Sequence, residues 1–135
     1  MKLFLSSLSI SNKQKKYFLN LVEKDFHDIK FALIENAADL YPEDVKGFVY
    51  ETRKLLQSYE MNLEQVNLSE YKNRQEDLFS VLSKFDVIWI GGGNVFYIRW
   101  LMKETGFDKI INKLLEKGVV YGGGSAGAIV AGKTL

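Results

Sequence analysis

The 135-residue chain contains no cysteine, one histidine and one proline, and each shortage excludes a kind of chemistry. Without cysteine the chain can form neither disulfide bonds nor a thiol nucleophile. With His27 as the lone histidine, a classical zinc site would lack most of its usual ligands. We therefore expect neither a metal nor a cofactor.

Excess charge and long hydrophobic runs are also absent. The 18 Lys and Arg residues balance 17 Asp and Glu residues, so the formal net charge of +1 gives no electrostatic reason to expect nucleic acid or an anionic membrane as a partner. No apolar run approaches the roughly 18 residues of a membrane helix, and the N-terminal MKLFLSSLSI is too short for a signal peptide. We expect a soluble, cytoplasmic protein, and 135 residues with 47% hydrophobic content predict one globular domain.

Short apolar runs alternate with helical patterns along the chain. The runs predict strands at Lys2–Ser6, Lys30–Glu35, Met61–Val66, Asp86–Ile90 and Val119–Tyr121. Apolar residues recur at helical spacing over Phe18–Phe26, Val45–Tyr59, Leu78–Phe85, Val95–Lys103 and Phe107–Lys117, and a run of small residues after Ser125 can begin a last helix. The fourth run, DVIWI, is apolar almost throughout, as is typical of a central parallel strand covered on both faces. The alternation predicts an α/β fold, a three-layer doubly wound sheet that is mainly parallel.

Two glycine-rich motifs follow predicted strands. Gly91–Asn94 reads GGGN, and residues 123–127 read GxSxG around Ser125. Ligands of open α/β sheets bind beyond the carboxyl ends of the strands, so both motifs should face one crevice. In a nucleophile elbow, GxSxG places the serine on a sharp strand-to-helix turn with its hydroxyl exposed. The pattern makes Ser125 a candidate nucleophile.

The same geometry predicts where a developing oxyanion would bind. The usual donors are the N–H of the residue after the nucleophile, here Ala126, and an N–H from another strand-end loop, for which Gly93 is the best candidate. Gly92 and Asn94 are candidates for substrate binding, although Asn94 could instead shape the turn. Glycines after strands are also common for purely structural reasons, and neither motif matches a dinucleotide or P-loop pattern.

The segment DVIWIGGGNVFYI followed by VVYGGGSAGAIVAG resembles the dipeptidase E (aspartyl dipeptidase) family of serine peptidases. That family has a strand ending in GGGNTF and then, about 25 to 30 residues later, a strand ending in GxSAGA; here Val95 replaces the threonine. The resemblance implies a fold similar to class I glutamine amidotransferases and to flavodoxin. It also implies a serine peptidase that cleaves small peptides with N-terminal aspartate, in which Ser125 is the nucleophile, Gly93 and Ala126 are the oxyanion donors and Asn94 lies beside the substrate.

The family's histidine, acid and substrate-selecting arginine all follow the serine motif, at positions that this sequence does not contain. His27 precedes Ser125 by nearly a hundred residues and lies between Asp25 and Asp28, a setting typical of a surface histidine. We therefore expect residues 1–135 to be the N-terminal portion of a longer family fold, with impaired activity, and an unfinished sheet edge that favours a homodimer.

Other interpretations stay open. A partner chain could complete the site, or the domain could bind peptides or anions through its free N–H groups without catalysis. An esterase or amidase could use the same serine turn.

Overall fold

A five-stranded, entirely parallel sheet lies at the centre of the computed structural model, which describes residues 1–134 and side chains through Gly132. The strands are β1 (Lys2–Ser6), β2 (Lys30–Ile34), β3 (Asn62–Gln65), β4 (Val87–Ile90) and β5 (Val120–Gly124). The helices are α1 (Lys15–Val22), α2 (Gly47–Ser58), α3 (Gln75–Leu82), α4 (Val95–Thr105), α5 (Phe107–Glu116) and α6 (Ala126–Thr134). The order across the sheet is β1-β5-β4-β2-β3, so the predicted α/β fold is confirmed.

Alternate side chains of the central strands divide the core into two layers. Trp89 of β4 packs with Phe31 of β2 and with Phe18 of α1 on one face, where α1 and α2 lie. Ile88 and Ile90 point to the other face, where α3, α4, α5 and α6 cover the sheet. Because Val87–Ile90 is buried on both sides, the strand has no polar face, as the apolar run in the sequence predicted.

Several predicted boundaries were wrong. The first helix ends before Glu23, whose left-handed φ of 62° lets its N–H bond back to the Leu19 carbonyl, so Phe26 falls in a separate short turn. The second helix begins at Gly47, because Val45 belongs to the 3₁₀ turn Glu43–Val45.

The last strand is longer than predicted. β5 continues through Gly122, Gly123 and Gly124, which pair in register with β1, whereas the sequence suggested that the strand ends at Tyr121. Glycine has a poor strand propensity, but here it makes room: a Cβ on Gly122 would lie 2.3 Å from the Trp89 ring.

The register brings the carboxyl ends of the inner strands to one level. Ile34 of β2 pairs with Ile90 of β4, which pairs with Gly123 of β5. The residues that follow these strands therefore share one edge of the sheet, where both glycine motifs lie. The helices within residues 1–134 include none with the length and hydrophobicity of a membrane-spanning segment.

Candidate active site

Ser125 occupies a sharp turn between β5 and α6. Its φ of 51° is left-handed, a conformation that costs a non-glycine residue about 1 kcal/mol or more. The Ser125 N–H donates to the Ser6 carbonyl at 3.1 Å, and the Ser125 carbonyl accepts from the N–H groups of Ala128 and Ile129, at 3.0 Å each. These bonds tie the turn to β1 on one side and begin α6 on the other. Ser125 itself is exposed, so the strained turn presents its hydroxyl at the sheet edge.

The glycines around Ser125 allow α6 to lie directly against the sheet. A Cβ on Gly127 would be 1.9 Å from the Ile90 carbonyl oxygen, and one on Gly123 would be 2.5 Å from the Gly127 carbonyl carbon. Neither glycine has a positive φ, so close approach, and not backbone conformation, explains why GxSxG has glycine at these two positions. The Tyr121 hydroxyl donates to the Gly127 carbonyl at 2.7 Å, and burial raises the pKa of Tyr121, which keeps this donor protonated.

The second glycine motif lies beside the serine. A Cβ on Gly92 would be 3.3 Å from the Ser125 Cβ and 3.7 Å from its Oγ, so the two strand-end loops are in contact. Gly93 follows with a φ of 148°, and a Cβ there would lie 2.2 Å from the Ala37 carbonyl oxygen. Only glycine fits this position, which is pressed against the loop that follows β2.

Backbone donors are free at this edge. Within the part of the chain that the structure describes, the N–H groups of Gly92, Gly93 and Ala126 donate no hydrogen bond. Ala126 is the first residue of α6, so its N–H also lies at the positive end of the helix dipole. Such N–H groups can bind an anion or a developing oxyanion.

Asn94 shapes the start of α4. Its side-chain Oδ1 accepts from the Tyr97 N–H at 2.9 Å, and its own N–H donates to the Ala37 carbonyl at 2.7 Å. Of the two roles that the sequence left open for Asn94, these bonds show that it shapes the turn. Its Nδ2 donates no hydrogen bond among the described residues and is available to a ligand.

His27 is not part of this site. It lies three residues before β2, at the amino edge of the sheet, whereas Ser125 follows β5 at the carboxyl edge. At about 3.3 Å per residue, a five-residue strand separates the two edges by roughly 15 Å. The His27 side chain is 72% exposed and lies 3.5 Å from Asp28. No described residue therefore supplies an imidazole to Ser125.

The serine does not line the cleft that lies beyond β2 and β3, on the far side of β4. That cleft measures about 440 Å³ and includes Glu35, Asn36, Asp39 and Asn67 in its lining. The gap beside Gly92 measures only about 20 Å³, room for about one water molecule. One wall of the gap contains Glu35, which forms a two-bond ion pair with Arg53 at 2.7 and 3.0 Å. Ser125 thus lies on an exposed surface and not within either of these clefts.

A parallel sheet with a strand–serine–helix turn at its carboxyl edge defines a class of α/β proteins in which hydrolases are frequent. Peptidase family S51 matches residues 3–135, and the chain belongs to this family. The structure resembles the 1.5 Å crystal structure of a protein assigned as peptidase E from Listeria monocytogenes EGD-e, with a TM-score of 0.76 and 28% identity over 96% of this chain and 61% of that one. The fold is flavodoxin-like and similar to class I glutamine amidotransferases.

Curated relatives carry peptidase names. The chain is 44% identical over 63 residues to the uncharacterized peptidase YgaJ of Bacillus subtilis (strain 168), covering 47% of this chain and 27% of that protein. It is 40% identical, with the same coverage, to "Peptidase E" of Pasteurella multocida (strain Pm70). It is 32% identical over 88 residues to the uncharacterized peptidase Lmo0363 of Listeria monocytogenes, covering 65% and 42%. The matched segments thus span less than half the length of these relatives. Family membership makes the chain a peptidase-family protein, as the resemblance implied.

Proposed function

We propose that residues 1–135 carry the nucleophile and the oxyanion donors of a serine peptidase that acts on small peptides, those with N-terminal aspartate included. The observation that carries the proposal is the exposed, left-handed Ser125 between β5 and α6, beside the free backbone N–H groups of Gly93 and Ala126. In this reaction the Ser125 Oγ attacks the peptide carbonyl while a base takes its proton. The resulting oxyanion accepts hydrogen bonds from Gly93 and Ala126, and the C–N bond breaks as the base returns the proton to the leaving amine. Water then hydrolyses the acyl-serine.

We infer that the base is not the imidazole of this chain's one histidine and that it comes from outside the side chains described here, residues 1–132. A serine hydroxyl is a poor nucleophile without a base, whose help contributes typically 10²–10⁴-fold. His27 lies at the opposite edge of the sheet and its side chain is largely exposed to solvent. We therefore expect little spontaneous activity from this chain by itself.

Adding a base to the solution tests whether Ser125 can react, wherever the protein's own base lies. The chain is treated with a fluorophosphonate at increasing imidazole concentrations and followed by intact-mass spectrometry. Labelling forms an Oγ–P bond and breaks the P–F bond; fluoride leaves and imidazole accepts the hydroxyl proton. We expect one adduct on the wild type, forming faster as imidazole is added, and none on Ser125→Ala.

Peptide mapping places the adduct. A label on another residue, or none at any imidazole concentration, would contradict the proposed nucleophile. In that case binding of a small carboxylate that is indifferent to Ser125→Ala would favour the alternative, a non-catalytic domain that holds peptide or anionic ligands through its N–H groups.

We also propose that the free edge of β1 mediates self-association. Among the described residues β1 pairs with β5 alone. Leu5 of β1 is 47% exposed, and Leu8 in the loop after β1 is 67% exposed. Unpaired edges with apolar side chains favour association, and a charge there opposes it. Sedimentation velocity should show a dimer that Leu5→Lys abolishes, while Leu40→Lys, at a similarly exposed leucine elsewhere, leaves it intact. A monomer at all concentrations would refute the idea.

A further inference from the structure

Asn36 is a buried polar residue directly behind the loop that contains Gly93. It is 5% exposed and belongs to a 3₁₀ turn after β2. Its Nδ2 donates to Asp39 and to the Asn67 side chain, both at 2.8 Å, and its Oδ1 accepts from the Leu68 N–H at 2.8 Å. Both amide hydrogens and the carbonyl are therefore used, which only an Asn side chain of this length can do here. The bonds with Asn67 and Leu68 join the end of β2 to the segment that follows β3, and the bond to Asp39 lies within the loop after β2.

Two routes lead from this residue to the oxyanion loop. The first is short: the carbonyl of the next residue, Ala37, accepts from the Asn94 N–H at 2.7 Å and lies against Gly93. The position of that carbonyl limits where Gly93 can lie and, with it, the direction of the free Gly93 N–H.

The second route passes through side chains. Asp39 accepts both from Asn36 and from the Tyr97 hydroxyl, the latter at 3.1 Å. Burial raises the pKa of Tyr97, and the bond to Asp39 raises it further, so the hydroxyl remains a donor near neutral pH. The Tyr97 N–H in turn donates to the side-chain Oδ1 of Asn94, which caps the start of α4. Asn94 is thereby held at its backbone and at its side chain by elements that Asn36 orders.

We propose that Asn36 is a positioning residue of the Ser125 site: it fixes the loop after β2 so that the Ala37 carbonyl holds Asn94 and aims the Gly93 N–H at the reacting carbonyl. This inference rests on the proposed serine peptidase function. Asn36 touches neither substrate nor Ser125. Its effect is to reduce the freedom of an oxyanion donor, where a misplacement of about 1 Å can cost up to 10²-fold in rate.

The Asn36→Asp variant gives a readout that a purely structural role would not produce. It replaces the Nδ2 donor by an oxygen that faces Asp39 and the Asn67 Oδ1. Burial and the Asp39 carboxylate raise the pKa of the new carboxyl, while the Glu35 carboxylate nearby is paired with Arg53 and the Tyr97 hydroxyl is neutral. Above this raised pKa the ionised group repels its former partners. Below it, the protonated group can donate one of the two lost hydrogen bonds.

The experiment compares the imidazole-assisted labelling rate of Ser125 between variant and wild type at each pH. For Asn36→Asp we expect a rate about tenfold lower than wild type at pH 8, approaching the wild-type rate at pH 5.5. Asn36→Leu should be slower by at least as much at every pH. The control Asn20→Asp makes the same change at an exposed position of α1 and should match the wild type throughout.

Amide hydrogen exchange tests the same coupling without chemistry at Ser125. Because the Asn94 N–H is bonded to Ala37, its exchange should accelerate at least tenfold in Asn36→Asp at pH 8 and less at low pH, after correction for intrinsic exchange. Wild-type exchange and labelling rates in a folded Asn36→Leu protein would overturn the inference. If the wild type is never labelled but Asn94 exchange responds to Asn36, the proposed peptidase site fails and the positioning role survives as a property of the loop.

Discussion

Replacing Gly93 with alanine is expected to lower the free energy of unfolding by about 3 kcal/mol or more and to slow labelling of Ser125 at least about 100-fold. The new Cβ would lie 2.2 Å from the Ala37 carbonyl oxygen and 2.7 Å from the Ala38 nitrogen, which are backbone atoms that no rotamer change can move. The φ of 148° is also strained for any residue with a side chain. Relief requires the loop to move, and the Gly93 N–H moves with it. Urea denaturation followed by circular dichroism measures the first effect, and mass spectrometry in imidazole measures the second.

Gly91→Ala is the matched control for this variant. It lies two residues earlier in the same loop, has no positive φ, and its nearest neighbour for a Cβ is the Ile34 carbonyl oxygen at 3.9 Å. We expect a change of less than about 1 kcal/mol and labelling within about threefold of the wild type. Wild-type labelling by a folded Gly93→Ala protein would mean that the Gly93 N–H is not an oxyanion donor.

The sheet could be predicted from the sequence because each strand carries its own signal. A run such as DVIWI is apolar on both faces, and such a run between helical patterns has few alternatives to a central parallel strand. The strand order could not be read in this way. The pairing of β1 with β5 joins residues more than a hundred positions apart, and no local pattern records which apolar strands become neighbours.

The errors concern residues whose conformation is decided by distant partners. Gly122, Gly123 and Gly124 have low strand propensity, and they belong to β5 because Trp89, α6 and the loop after β1 approach them closely. Similarly, Glu23 takes a left-handed conformation that nothing in its own sequence demands. Local propensity is a weak guide wherever tertiary contacts set the backbone.

The serine turn was visible in the sequence because its requirement is local, one exposed residue between a strand and a helix. The hydrogen bonds that order the neighbouring loop could not be predicted from the sequence. Asn36 follows a strand in the segment ENAAD, and only the fold shows that Asn67, Asp39 and the start of α4 converge on it. The available signal was a pair of small residues, Ala37 and Ala38, after a buried strand, which indicates close packing without naming the partner.

The contact of α6 with the sheet is expected to be the least tolerant of added volume. In Gly127→Ala the new Cβ would lie 1.9 Å from the Ile90 carbonyl oxygen and 2.7 Å from its carbon, in the backbone of the central strand β4. Because β4 is held by β2 and β5 on its two sides, the helix must move away, which breaks the Tyr121 hydroxyl bond to residue 127 and exposes apolar core. We expect a loss of about 3 to 5 kcal/mol, a large share of the roughly 5 to 15 kcal/mol that stabilises a typical domain.

Gly132→Ala in the same helix is expected to change the free energy of unfolding in the opposite direction. Apart from its chain neighbours and the backbone of its own helix, no described atom lies within 4 Å of a Cβ at this exposed position, so the substitution adds only helix propensity. Alanine should raise the free energy of unfolding by up to about 1 kcal/mol. Urea denaturation of both variants therefore separates close packing from propensity: if Gly127→Ala were as stable as Gly132→Ala, α6 would not lie against β4 at the distance described. The elbow would then lack the support that holds Ser125 in its left-handed conformation, because the strain at that residue persists only while helix and strand are locked together.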